Sequence, residues 1–165
     1  MDADKKYKLL HGRESHYCFG CSDQNPTGLR MQFYTDGESL FSDLSVPDHM
    51  SGWRNMTHGG IISAILDEVM SWSAIYLLKR FILTKSIQVE FLKPVFIGKP
   101  LRAQGKVAEV ANEREARMEA ALYDEDGTLC ARATGTLALF VPETAVRLGI
   151  IDSADVRDLE GLFAQ

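Results

Sequence analysis

Ile61 to Leu78 reads IISAILDEVMSWSAIYLL, an apolar run of 18 residues with Asp67 and Glu68 at its centre. A segment that long and apolar either crosses a membrane or is wrapped on most sides by protein. Charge at mid-span is where lipid penalises it most, and Ser63, Ser71 and Ser73 add further polar groups. The run is therefore read as a core helix from about Gly59 to Lys79, and no membrane partner is expected. A helix with so little polar surface needs a sheet large enough to curl around it.

The flanking sequence offers such a sheet. Two strand-like runs, Leu29–Thr35 and Ser39–Val46, precede the helix and are joined by Asp36-Gly37-Glu38, a hairpin signal. Pro47–Thr57 reads as a loop. After the helix the period changes to two. In Thr84–Lys93, Ile87, Val89 and Phe91 point one way and Gln88 and Glu90 the other. Leu101–Val110 keeps Leu101, Ala103 and Val107 together. Glu115–Tyr123 does the same with Ala116, Met118, Ala120 and Leu122. Thr128–Val141 aligns Leu129, Ala131, Ala133, Leu137 and Leu139. Short turns at 97–100 and 124–127 favour antiparallel pairing. Beyond Pro142, Val156, Leu159, Leu162 and Phe163 form a helical stripe, with Ser153 as its N-cap. The order β-β-α-β-β-β-β predicts an α+β fold, one long helix against one antiparallel sheet. A single domain over 1–165 is expected, with a lead-in at 1–28 and a helical tail at 142–165. Open sheet edges predict a homo-oligomer.

The charge balance, 18 basic against 23 acidic residues, gives −5, with a pI near 5.4. That argues against a nucleic-acid partner, which calls for a basic face. A small anionic ligand remains possible through a local cluster such as Lys93, Lys99 and Arg102. The N-terminus has no apolar signal-type core, so a reducing cytoplasm is expected. Cys18-x-x-Cys21, with His11 and His16 upstream, invites a zinc reading. A structural zinc site takes four ligands, usually as two pairs. Only one CxxC pair is present, so no metal is expected and the thiols are read as reduced.

The chemistry concentrates between Gly52 and Asp67. His58-Gly59-Gly60 stands where a loop enters the helix. The first helical turn has N–H groups without helical partners and a partial positive charge, which suit a developing oxyanion. Asp67 follows Gly60 by seven residues, about two helical turns, so both lie on one side. A carboxylate in an apolar helix is costly unless paired or used, and burial raises its pKa toward that of a general base. An oxyanion donor at Gly60 with a base or nucleophile at Asp67 is an arrangement for acyl transfer to water. The bland reading has a tight Gly-Gly turn and a carboxylate serving only as a hydrogen-bond or intersubunit ion-pair partner. A triad of Ser63 or Ser71 with His58 and Asp67 lacks the Gly-x-Ser-x-Gly elbow. Mid-helix serines usually bond back to the preceding turn. Trp53 and Trp72 suit either an acyl pocket or packing, and His49 reads as a loop residue.

HGGIISAILDEVMSWSA, with Asp67 nine residues after His58, resembles the core motif of hotdog-fold acyl-CoA thioesterases of the PaaI-like, phenylacetate-pathway type. CFGCSDQNPTGLRMQFY upstream and TKSIQVEFLKPVFIGKPL downstream are similar to the entry and exit segments of the same family. The resemblance spans about residues 17–140. It implies a hotdog fold, a homodimer often paired into a dimer of dimers, and active sites at the dimer interface. It assigns Asp67 as general base or nucleophile and the Gly60 N–H as oxyanion donor. His58 and Gly59 would shape that corner, and Thr84 would help hold the water. Some relatives carry an Asn where this chain has Gly52, and Asn55 lies nearby. Substrate contacts are expected at Gly59, Asn55, Trp53 and Lys93. Coenzyme A would enter as part of the substrate, with no separate cofactor. Two other readings are a non-catalytic acyl-CoA-binding protein and an enoyl thioester hydratase. The hydratase would need a histidine within the helix, whereas His58 lies in the loop.

Overall fold

Helix α1 spans Gly59–Leu78 in the computed structural model, which describes residues 6–11 and 16–165. His58 caps its start in an extended conformation, and Lys79 ends it at φ 54°, a left-handed C-cap. By length and apolarity alone α1 passes for a membrane span. Here a sheet covers it instead, and Ile62, Ile65, Leu66, Val69, Met70, Trp72 and Ala74 are buried.

The strands are β1 (Lys8–Leu9), β2 (Tyr34–Thr35), β3 (Ser39–Leu44), β4 (Phe81–Phe91), β5 (Leu101–Asn112), β6 (Glu115–Asp124) and β7 (Leu129–Phe140). They form one antiparallel sheet in the order β1-β2-β3-β5-β6-β7-β4. The sheet curls around α1 without closing, the hotdog arrangement. Ala103 on β5, Ala116, Met118, Ala120 and Leu122 on β6, and Ala133, Leu137 and Leu139 on β7 face the helix, as their alternation predicts. Helix and sheet approach closely at Gly105, where a Cβ would stand 2.5 Å from Ser73 Oγ and 2.6 Å from Val69 O. Only glycine lets β5 pass there.

Four expectations change. The run Leu29–Thr35 is regular strand only at Tyr34–Thr35. Arg30 adopts φ 52°, and the extended segment before β2 pairs irregularly with the lead-in (Leu29 N–H to Phe19 O, Met31 N–H to Gly20 O). The lead-in itself supplies β1, so there are seven strands rather than six. In β7 the register slips: Leu122 faces Ala131 but Tyr123 faces Leu129. Cys130 becomes an extra, buried residue, and Leu129 leaves the inward set. The tail folds as α2 (Pro142–Arg147) and α3 (Ser153–Phe163). The cap of α3 is Asp152 rather than Ser153, because Asp152 and Asp155 form a reciprocal capping box.

Candidate active site

The covered faces of α1 leave one side only partly shielded. Ala64, Asp67 and Ser71 lie along it, two turns from the exposed Gly60. Asp67 Oδ1 accepts a 2.8 Å hydrogen bond from Thr84 Oγ1 on β4. Burial pushes the Asp67 carboxyl above the usual carboxylate range, while the Thr84 bond pulls the other way. With Oδ1 held by Thr84, Oδ2 is the oxygen available to a ligand.

Thr84 reaches Asp67 because β4 contains a bulge. Thr84 pairs with Leu137 and Ser86 with Thr136, leaving Lys85 as the extra residue. Strict alternation from Ile87 would put Thr84 on the opposite face. The bulge restores it to the side of the sheet that meets α1. Sequence spacing alone does not reveal this.

At the head of α1, His58 Nδ1 accepts the Gly60 N–H at 3.0 Å. The Ile61 and Ile62 N–H groups both donate to His58 O. The proton assigned to an oxyanion at Gly60 is therefore held by the His58 imidazole in the free chain. A substrate oxygen must displace that ring to use it. Among the described hydrogen bonds, the Gly59 N–H is the first-turn amide without a protein acceptor. The Phe91 ring stands beside it, 3.5 Å from where a Gly59 Cβ would lie. Phe91 is 55% exposed and forms an apolar wall at this corner, a role its place in a strand pattern does not disclose.

The remaining candidates divide. Trp53 tips the 51–57 loop at 81% exposure and lines one hollow with His58 and Gly59. The Asn55 carbonyl accepts from the Ile97 N–H at 2.8 Å, fastening that loop. Trp72 is core: it stacks on Phe33 at 4.7 Å and donates through Nε1 to Glu68 Oε1 at 3.2 Å. Ser63 donates to Gly59 O at 2.9 Å, as a back-bonded helical serine does. Of the cluster Lys93, Lys99 and Arg102, two members are paired with acids. Arg102 binds both oxygens of Asp43, at 2.7 and 3.0 Å, and Lys99 binds Glu125 at 3.2 Å. Lys93 acts on Asp124, whose carboxyl is held low chiefly by the Thr128 N–H. Neighbouring acids pair with Arg102 and Lys99, which spacing in the sequence does not foretell.

The family model described as "Thioesterase superfamily" matches residues 55–131, the segment holding His58, Asp67 and Thr84. That match makes the segment around α1 similar to the thioesterase superfamily and spans a little under half of the chain. Several solved structures share its fold. A thioesterase superfamily protein is 20% identical with a TM-score of 0.67, over 76% of this chain and 60% of that one. The E. coli PaaI protein of the phenylacetic acid degradation operon is 17% identical with a TM-score of 0.61, over 68% and 80%. A hypothetical thioesterase from Streptococcus pneumoniae TIGR4, crystallised with coenzyme A, is 14% identical with a TM-score of 0.60, over 82% and 87%. No curated protein matches the chain in sequence.

Proposed function

We propose that the protein is an acyl-CoA thioesterase of the PaaI-like type, releasing a free acid and coenzyme A. The observation that carries this reading is the Asp67–Thr84 pair at 2.8 Å, two turns along α1 from Gly60. Asp67 Oδ2 takes a proton from water as the water oxygen bonds to the thioester carbonyl carbon. The first-turn amides of Gly59 and Gly60 stabilise the oxyanion, the latter once His58 has turned aside. Collapse breaks the C–S bond, and the proton on Asp67 passes to the departing thiolate. In the nucleophilic variant, Asp67 Oδ2 bonds to the carbonyl carbon, the thiolate leaves, and water cleaves the resulting anhydride. No separate cofactor takes part.

The site lies against β4, an open edge of the sheet. Leu83, Ile87 and Phe91 on that strand are 41%, 37% and 55% exposed. A second copy covering this edge would shield Asp67 from bulk water, which supports a homodimer, paired in turn as a dimer of dimers. Trp53 would then line the acyl end of the substrate.

The test is thiol release from acetyl-, medium-chain and aromatic acyl-CoAs by wild type and Asp67→Asn. Release by wild type, lost in a folded variant, supports the reading. Binding of acyl-CoA without release by either protein replaces it with a non-catalytic binding role. Enoyl-CoA hydration without thiol release would point to the hydratase chemistry instead.

A further inference from the structure

The CxxC pair has a third companion that sequence spacing hides. Among the described residues, Cys18, Cys21 and Glu68 each place one ligand atom within 4.8 Å of the other two. Cys18 Sγ lies 3.6 Å from Glu68 Oε1 and 3.9 Å from Oε2. Sulfur and oxygen ligands around one tetrahedral zinc are separated by about 3.5 Å, from Zn–S near 2.3 Å and Zn–O near 2.0 Å. Neither thiol is oxidised to a disulfide.

The surroundings have the features of a built site. The chain between the cysteines closes tightly on the carboxylate: a Cβ on Gly20 would fall 2.3 Å from Glu68 Cδ. The lead-in is pinned on both sides of that knuckle. The Ser22 N–H donates to Cys18 O, and Phe19 O and Gly20 O accept from Leu29 and Met31. Trp72 Nε1 holds Glu68 Oε1 from behind at 3.2 Å, as an outer-shell donor orients a metal-binding carboxylate. Two thiols and a carboxyl packed together are mutually repulsive once ionised. A soft divalent cation turns that repulsion into attraction.

We propose that Cys18, Cys21 and Glu68 bind one zinc ion, with water or the second Glu68 oxygen in the fourth position. Binding displaces the protons of both thiols and of the carboxyl into solvent and changes no oxidation state. The ion ties the lead-in to α1 on a flank about 100° around the helix from Asp67. It is structural and independent of the hydrolytic reading.

The experiment uses the full chain, reduced, stripped of metal and reloaded with Zn(II) or Co(II). One equivalent per chain should survive desalting. The Co(II) form should show a thiolate-to-metal charge-transfer band. Cys18→Ser and Cys21→Ser should each weaken retention by more than the ~10-fold that even an outer-shell change produces. Cys130→Ser should retain one equivalent. Glu68→Gln should change the visible Co(II) bands while keeping the charge-transfer band. In wild type, where no variant need fold, equimolar Zn(II) should slow alkylation of Cys18 and Cys21, read by peptide mass spectrometry. Unchanged alkylation, or a wild type that retains no more metal than the cysteine variants, overturns the proposal.

Discussion

Asp67 and Glu68 are consecutive acids on one apolar helix, about 100° apart around its axis, and they meet opposite surroundings. Among the described residues Asp67 has one side-chain donor, Thr84, and it faces the open β4 edge. Glu68 is closed in by Cys18, Cys21 and Trp72 beneath the lead-in. Burial raises both carboxyls: Asp67 against the pull of Thr84, and Glu68 to about 7 with the Cys18 thiol reinforcing the effect. A carboxylate with an uncommitted oxygen at an open edge is equipped for proton transfer. One ringed by donors fastens two parts of the chain together. The lesson is that burial alone does not mark a functional acid; the number and kind of its partners does.

The sharpest break in this comparison comes from Asp67→Asn. Thiol release should fall by about 10²–10⁴-fold, the usual contribution of a general base, while the melting temperature holds or rises. The sign follows from linkage. A folded-state pKa above the unfolded value adds stability at low pH, and that contribution is lost as pH rises through the folded value. Asparagine removes that loss at neutral pH. A variant that unfolds instead would make Asp67 structural.

Glu68→Ala should do the reverse. It leaves Trp72 Nε1 and two packed thiols without their acceptor, at a cost of about 1–3 kcal/mol. Thermal unfolding measures that loss, while turnover per folded molecule should stay near wild type. A large drop in turnover with stability intact would erase the distinction between the two acids.

Thr84→Val sharpens the Asp67 side. It removes the hydrogen bond that favours the ionised carboxylate, so the acid limb of kcat/KM should move to higher pH. In wild type that limb should already lie above the ordinary carboxylate range, with activity falling as pH falls. An unmoved limb would mean that Thr84 does not act on the titrating group.

The smallest effect belongs to the exposed ion pairs. Lys99→Ala should change stability by less than ~1 kcal/mol, as exposed pairs do. KM for acyl-CoA should change little, since Glu125 already holds this lysine. A large KM increase would return it to the coenzyme A site.

Legibility in the sequence follows the range of the interactions involved. Helix α1 is readable almost to the residue, because its apolar run and the loop before Gly59 are local signals. Strands β5, β6 and β7 are readable because short turns join them and each presents small or branched residues at alternate positions. The segment before β2 is not readable as irregular, because its partners Phe19 and Gly20 belong to the lead-in and Arg30 turns left-handed there. The β4 bulge leaves no mark in composition, yet it decides which way Thr84 points. The cations Lys99 and Arg102 are close in sequence but pair with different acids in space.

The sequence by itself determined the core helix, the alternating strands around it and the placing of Gly60 and Asp67 on one side of that helix. Those depend on periodicity and local capping, which neighbouring residues settle among themselves. Tertiary structure alone decided that Thr84 meets Asp67 and that Glu68 joins Cys18 and Cys21. The Thr84 and Glu68 contacts join residues far apart in the chain. Curling the sheet and folding back the lead-in bring the distant groups within hydrogen-bonding distance.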